Sequence, residues 1–389
     1  MAIEVRQVRF PEDARAFVDT WWRVYEGDPS WVPPLLSEQL RFLDPGKNPY
    51  FRVATIQPFI AYMDGVAVGT ISATIDRYTQ EHDPGVGFFG FFEFVENPDV
   101  ASALLEAATT WFTERGIHTI RGPFNFNINH EFGLRVDPFD DIPCIGNPHN
   151  SWYYPEIYEK KLGMEKARDW YAYWMGFGPI PKTMRAISER FVQRNPEFTI
   201  KELDPSRFWE QCEMFWELYN DAWEHNWGHV YMERDEFMEK ARGLKAVLDP
   251  KLAFFGYMGD EVAAAAITLP DYNQVAAHMN GRIFPFGWMH FLNRNNYIDR
   301  LRVLVLGVKK KYQHLPLGAP LYVRTWDEAK RRGTIRGVEA SLIVEDNHRM
   351  RGALEKLGGR IRTTYRSYEK VIGEVPPKVE EPAAPPAEG

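Results

Sequence analysis

Four side chains in the second half of this 389-residue chain have the chemistry of a general base: Glu339, His225, Asp271 and Glu345. Glu339 lies in a short apolar run, Gly337-Val-Glu-Ala-Ser-Leu-Ile343. His225 lies in the cluster Trp223-Glu-His-Asn-Trp-Gly-His229. Asp271 follows a strand-like stretch, and Glu345 precedes a helical one. Such a group matters because a lysine-like ammonium lies about 4.6 kcal/mol below its neutral form at pH 7. Each residue also has a structural reading: a solvent edge, a packed histidine, a turn former and a first-turn helix residue, respectively. A further polar cluster, Asn125-Phe-Asn127-Ile-Asn129-His130-Glu131, combines amides, an imidazole and a carboxylate. Asn127, Asn129, His130 and Glu131, with Trp227 and Asn273, are candidates to orient a polar substrate group across a cleft. There is no Gly-x-Ser-x-Gly elbow, which disfavours a serine hydrolase. The two cysteines, Cys144 and Cys212, have neither metal-ligand nor disulfide spacing, and no metal is expected.

These groups need a scaffold, and the stretch from Arg302 to Gly333 offers one. Arg302-Val-Leu-Val-Leu-Gly-Val308 reads as a buried strand. A basic loop follows, Lys309-Lys-Lys-Tyr-Gln-His-Leu-Pro-Leu-Gly-Ala319, and then a helix that Pro320 can open and Gly333 can close. Strand, tight loop and helix start aim backbone N–H groups and the positive end of a helix dipole at a bound phosphate. The strand would supply an oxyanion donor near Leu306, Gly307 and Val308. Lys311, Gln313, His314, Gly318 and Ala319 would surround the pyrophosphate of an acyl-coenzyme A. The three consecutive lysines read equally as a solvated face.

The bulk numbers bound the class. The net charge of −8 argues against nucleic-acid binding. The N-terminal residues lack the apolar core of a signal peptide, and no apolar run is long enough to span a bilayer, so a cytoplasmic location is expected. Aromatic residues make up 15% of the chain, enough to line an acyl-chain site as well as two cores. No stretch has the pattern of an amphipathic anchor, which leaves only peripheral membrane contact.

The order of elements repeats. A strand at 3–8, a helix at 11–25 and a hairpin closed by Asp64-Gly65 recur as a strand at 198–203, a helix at 205–223 and a second hairpin. Trp22-x-x-Tyr25 matches Trp216-x-x-Tyr219 at an offset of 194. Tyr62-Met63 matches Tyr257-Met258, and Leu162-Gly163 matches Leu357-Gly358, both at 195. In-order matches at a near-constant offset indicate a duplicated domain. The second half carries an insertion near Gln274 to Asn296. Expected boundaries are 1–178, 179–372 and a disordered Pro-, Ala- and Glu-rich tail at 373–389.

Each half thus reads strand, helices, three strands, helix, strand, helix, strands. Glu345-Asp-Asn347-His-Arg-Met350-Arg-Gly-Ala353-Leu354-Glu-Lys-Leu357-Gly358 resembles the late motif of the GNAT acyltransferase superfamily, with Asn347 as helix cap. The whole of 1–372 resembles bacterial tandem-GNAT proteins through Gly87-Phe-Phe-Gly-Phe-Phe-Glu93, Gly122-Pro123, Asn226-Trp-Gly228 and Leu269-Pro-Asp-Tyr-Asn273. The resemblance implies an α/β fold of two tandem acyl-CoA N-acyltransferase domains with a cleft between them. It also implies acyl transfer from coenzyme A to a small-molecule or lipid amine. Relatives of this type include enzymes that acylate sphingoid amines to ceramides. The sequence departs from the superfamily in three places. Pro316 sits inside the phosphate loop and removes an N–H. Leu354 stands where a tyrosine acid is usual, leaving Tyr312 or water to protonate the thiolate. Glu96-Asn-Pro-Asp99 sets two carboxylates where the first half would need its phosphate loop. Only the second half is therefore expected to bind acyl-CoA. A ligand-binding protein without catalysis is the alternative.

Overall fold

The computed structural model describes residues 2–224 and 226–375. Fifteen strands form in chain order: β1 (Ile3–Gln7), β2 (Ala54–Met63), β3 (Val66–Asp76), β4 (Val86–Phe94), β5 (Thr119–Gly122), β6 (Phe124–Asn125), β7 (Glu131–Phe132), β8 (Leu134–Asp137), β9 (Glu165–Gly176), β10 (Phe198–Glu202), β11 (Ala253–Met258), β12 (Glu261–Pro270), β13 (Arg300–Val308), β14 (Gly337–Val344) and β15 (Arg360–Val371). All except β6 and β7 join one sheet, ordered β1-β2-β3-β4-β5-β15-β9-β14-β13-β12-β11-β10, with β8 beside β15.

The repeat is visible in the register. Ile3 faces Met63 and Phe198 faces Met258; Gln7 faces Phe59 and Glu202 faces Phe254. The irregularity between Ala61 and Tyr62 in the first hairpin recurs between Gly256 and Tyr257 in the second. Every one of these correspondences is a shift of 195 residues. Backbone pairing, more than side-chain identity, has kept the duplication.

The last strand of each half is exchanged. β9, from the first half, pairs with β14 of the second, and β15, from the second, pairs with β5 of the first. The two exchanged strands then pair antiparallel with each other. Glu165 lies opposite Glu369 and Trp174 opposite Arg360, as a pseudo-two-fold axis requires. Neither half can complete its sheet without the other.

Helices cover the sheet where their stripes demand it. In Pro98–Thr113, Val100, Ala101, Leu104, Leu105, Ala108, Trp111 and Phe112 are buried against β2–β4. Asn97 caps this helix by accepting from the Asp99 N–H at 3.0 Å. The helix Gly318–Arg332 starts two residues before Pro320, because the turn from Leu317 already sets its first residues. It ends on Gly333, in the left-handed region at φ 71°, a conformation that favours glycine. Asn347 caps His348–Lys356 through the Met350 N–H at 3.0 Å. Residues 151–162 form only a single helical turn, Tyr154–Glu156, followed by a wide turn, Ile157–Lys161. Their tyrosines point into the sheet instead of along one helical stripe. Residues 376–389, most of the expected tail, lie outside the described residues.

Candidate active site

The parallel pair β13 and β14 is hydrogen-bonded only from Arg300–Gly337 to Val303–Ala340. Beyond that point the strands part. β12 still pairs with the other edge of β13 as far as Val308, so only the edge facing β14 is open. Val303 to Leu306 are accordingly half-buried where a central strand would be sealed. The gap opens into a cavity of about 710 Å³.

Both halves line this cavity. Its apolar wall includes Phe208, Phe215, Phe237, Phe255 and Ile267 from the second half, with Phe42 and Phe91 from the first. Polar groups in its lining include Asn129, His130 and Glu131 from the loop after β6 and from β7, Glu236 and Lys240 from the helix Arg234–Leu244, and Arg302 and Ser341 at the fork of the strands. A largely apolar volume of this size with a few convergent polar groups is the ordinary form of a small-molecule site. Ion pairs Arg41–Glu239 (2.6 Å) and Arg242–Glu38 (3.0 Å) tie the halves together across its rim.

His130 is a cavity-lining group able to accept a proton. Its side chain is 5% exposed, and its Nε2 lies 3.3 Å from Glu236 Oε1. Its ring packs edge-on against Tyr50 and Phe42. Nδ1 has no hydrogen-bond partner. Burial, and then the Lys240 charge, hold the imidazole well below its ordinary pKa, so it is neutral at pH 7. Burial also raises Glu236 and lowers Lys240, one turn apart on the same helix. Glu131 shows its carboxylate to the cavity interior and accepts from Asn125 Nδ2 at 3.1 Å. Burial raises its pKa, and the Asn125 hydrogen bond and then the Arg302 charge partly offset the rise. Asn129 is fixed between the Tyr219 hydroxyl (2.8 Å) and the Val230 carbonyl (2.9 Å), which spans the two halves.

The other residues singled out by sequence fall into three places. Leu306, Asn347 and Trp227 line the cavity with His130, Glu131 and Asn129. Asn127, Glu339, Asp271 and Asn273 stand behind its wall. Asn127 donates to Asp76 at 3.1 Å. Glu339 accepts from Asn147 Nδ2 at 2.6 Å and from Ser341 Oγ at 3.1 Å, in a network that also holds Arg302. Asp271 is fully buried, accepting from Arg300 at 2.5 Å and from the Ile145 N–H at 2.8 Å; Asn273 donates to the Pro143 carbonyl. Gly307, Val308, Lys311, Gln313, His314, Gly318 and Ala319 belong to the strand end, loop and helix start beyond the cavity. There Lys309 and Lys311 pair with Glu261 and Lys310 with Glu224. The Lys310 N–H donates to Asp221 at 2.7 Å, and Gln313 Nε2 to the Val308 carbonyl at 3.1 Å. Glu345 pairs with Lys166 at 2.7 Å on the outer side of the turn. His225 lies outside the described residues. Leu354 is wholly buried in the core beside β14.

Sequence reasoning missed Arg302, Ser341, Glu236 and Lys240. An arginine opening an otherwise apolar strand, and Glu236 four residues before Lys240 on a helix, were the available signals.

The first half has the same fork but fills it. β4 and β5 pair only from Val86–Thr119 to Phe88–Arg121. Beyond, the Tyr153 hydroxyl donates to the Phe94 carbonyl (2.7 Å), and the Tyr154 hydroxyl accepts from the Phe94 N–H (2.8 Å). The space left there is about 20 Å³. Glu93 is enclosed with Tyr25 and Tyr154, and burial pushes its pKa up to about 8. A carboxyl raised from 4.5 binds its proton more tightly when folded. It therefore favours the fold at acid pH, and that contribution is lost as pH climbs from 4.5 through 8. At ~1.36 kcal/mol per pH unit, ionising it in place costs up to about 5 kcal/mol. Glu93→Gln is expected to reduce the fall in urea midpoint between pH 5 and 9, an effect read by denaturation at several pH values.

No family model matches the chain. Among curated proteins, the bacterial ceramide synthase of Caulobacter vibrioides is 34% identical over 382 residues, covering 95% of this chain and 98% of that protein. Protein YghO of Escherichia coli is 33% identical over 375 residues, covering 95% of each. Among solved structures, a tandem GNAT protein from the clavulanic acid biosynthesis pathway superposes with TM-score 0.58 at 12% identity, covering 96% of this chain and all of that one. A GCN5-related N-acetyltransferase from Sphaerobacter thermophilus gives 0.51 at 13%, covering 95% and 96%. The structural likenesses establish the fold. The sequence likeness runs nearly end to end at a third identity, and by it the chain belongs to the family of the Caulobacter bacterial ceramide synthase and YghO, on a fold shared with tandem GNAT proteins.

Proposed function

We propose that this protein transfers a long acyl chain from coenzyme A to the amine of an amphiphilic, sphingoid-type acceptor. One observation carries the reading. The fork of the second half is open, with unpaired strand edge on β13, and leads straight into an apolar cavity that both halves complete. The equivalent fork of the first half is plugged by its own tyrosines. An acyl-CoA threaded between β13 and β14 would pair its amide-bearing arm with that free edge. Its acyl chain would lie among Phe215, Phe237, Phe255 and Ile267, and its phosphates at the loop 309–319.

The chemistry follows from the groups present. Neutral His130 accepts the ammonium proton of the acceptor, and Glu236 faces the imidazolium that forms. The amine nitrogen bonds to the thioester carbon. An N–H of β13 between Leu304 and Val308 donates to the developing oxyanion. The C–S bond then breaks; the nitrogen releases its second proton to solvent as the amide forms, and the thiolate takes a proton from solvent, since Leu354 has none to give. The ion pairs of Lys309, Lys310 and Lys311 with Glu261 and Glu224 are exposed enough to be worth little. A phosphate could displace them.

Thiol release tests this. Acyl-CoAs of increasing chain length are offered with a long-chain amino alcohol, and turnover is expected to rise with acyl length. Exchanging Lys310 and Lys311 for Ala is expected to raise the KM for acyl-CoA roughly tenfold or more, at ~1.5–3 kcal/mol per lost charge-assisted bond. Binding of the amphiphile with no thiol release from any acyl-CoA would instead support a non-catalytic ligand-binding role.

A further inference from the structure

β12 and β13 are joined by residues 271–299, with an aspartate at each end (Asp271 and Asp299), whereas β3 and β4 are joined by residues 77–85 alone. The longer segment is held firmly at its base. Val275, Met279 and Ile298 form a small core with Leu35 and Tyr297. The Leu36 N–H donates to the Gly281 carbonyl at 2.9 Å, and Trp22 Nε1 to Asn280 Oδ1 at 2.8 Å. Its tip is apolar and faces solvent. Phe284 is 75% exposed, Phe286 70% and Leu292 64%, with Ile283, Trp288 and Met289 beside them. A contiguous exposed apolar patch on a rigid base is a contact surface in want of a partner.

Charge selects the partner. Residues 272–298 contain no aspartate or glutamate, although the whole chain carries −8. The segment's two arginines, Arg282 and Arg294, flank the apolar tip, and neither forms an ion pair among the described residues. Aromatic and aliphatic tips bracketed by unpaired cations match the interfacial zone of an anionic bilayer. A protein partner would more commonly meet an apolar patch with a polar rim of both signs. Position supports the same partner. Pro34 and Leu35, which grip this segment, lead into the helix Leu36–Phe42, whose Glu38 and Gln39 line the cavity.

We propose that residues 282–294 insert into the surface of an anionic lipid bilayer and so hold the cavity rim at 34–39 against the membrane. There an amphiphilic amine can pass into the site without crossing water. This docking role rests on the lipid acceptor proposed above only for its purpose; the surface itself is argued independently.

Vesicle flotation of the full chain tests it. The wild type is expected to float with vesicles of phosphatidylethanolamine and phosphatidylglycerol, and much less with phosphatidylcholine alone. A variant carrying Phe284→Ser, Phe286→Ser and Leu292→Ser is expected to lose roughly tenfold or more of that binding. Its melting temperature and its turnover of a short, water-soluble amine should stay unchanged. Wild type that stays in the soluble fraction, or a variant that floats equally well, would overturn the proposal. So would sedimentation showing a wild-type dimer that the variant disperses, with no vesicle binding by either. Failure of the acyl-transfer reading is distinguishable: a protein that floats but releases no thiol loses that reading and keeps this one.

Discussion

His130→Gln is expected to lower kcat/KM for acyl transfer at pH 7 by roughly 10²–10⁴-fold, the usual worth of a positioned general base. Glutamine keeps the volume and can hydrogen-bond, but it cannot accept the proton. The neutral state of His130 follows from burial beside Lys240, and its free Nδ1 faces no other protein acceptor or donor. The decisive readout is the pH profile. Without a base, only acceptor molecules already deprotonated in solution can react. The variant's rate should therefore climb about tenfold per pH unit toward the amine pKa, near ~10, and its deficit should shrink accordingly. Wild type should be flat over the same range. A purely structural histidine would leave the two profiles parallel, whatever the drop in rate, and a parallel pair would remove His130 from the mechanism. Melting temperatures of both proteins exclude misfolding as the cause.

Asp271→Asn should act on stability instead. Asp271 is fully buried, and its carboxylate holds Arg300 (2.5 Å) and the backbone N–H of Ile145 (2.8 Å). Arg300 in turn reaches Asp141 and the Ile142 carbonyl. The strut thus pins residues 141–147 of the first half onto β13, and Arg302 adds a bond to the Ile145 carbonyl. Neutralising one member of a buried ion pair costs up to about 3–5 kcal/mol when the other is left alone; here Asp141, at 3.0 Å from Arg300, retains part of the compensation. A large fall in the urea midpoint is expected, with kcat/KM per folded molecule near wild type. The opposite pattern, full stability with lost turnover, would make Asp271 a chemical participant.

The same contrast explains what could be read from the chain. Asn97, Gly333 and Asn347 are local signals, and the caps and the helix stop lie where they indicated. The hairpin at Asp64-Gly65 has both residues at positive φ, as that dipeptide favours. The duplication was legible through a few aromatic pairs, because the register behind them repeats at 195 residues. The cavity-facing role of Asn129, His130 and Glu131 was legible as a polar cluster after a strand. By contrast, Glu339 and Asp271 looked like free carboxylates in a one-dimensional reading. Their partners, Asn147 and Arg300, are 192 and 29 residues away. The three lysines looked free for the same reason: Glu261 is 50 residues from Lys311.

Sequence alone determined the fold family and the repeat, and it directed the expectation of a thioester-carrier site to the second half. Those features rest on periodicity, caps and turns, which involve residues close along the chain. Tertiary structure decided three further matters. It exchanged β9 and β15, it plugged one fork with Tyr153 and Tyr154 and left the other open, and it gathered His130 and Glu236 from opposite halves around one cavity. Each of these depends on which distant surfaces are buried together. The exchanged strands set that: only with the two sheets fused does the wall of one half become the lining of the other's site.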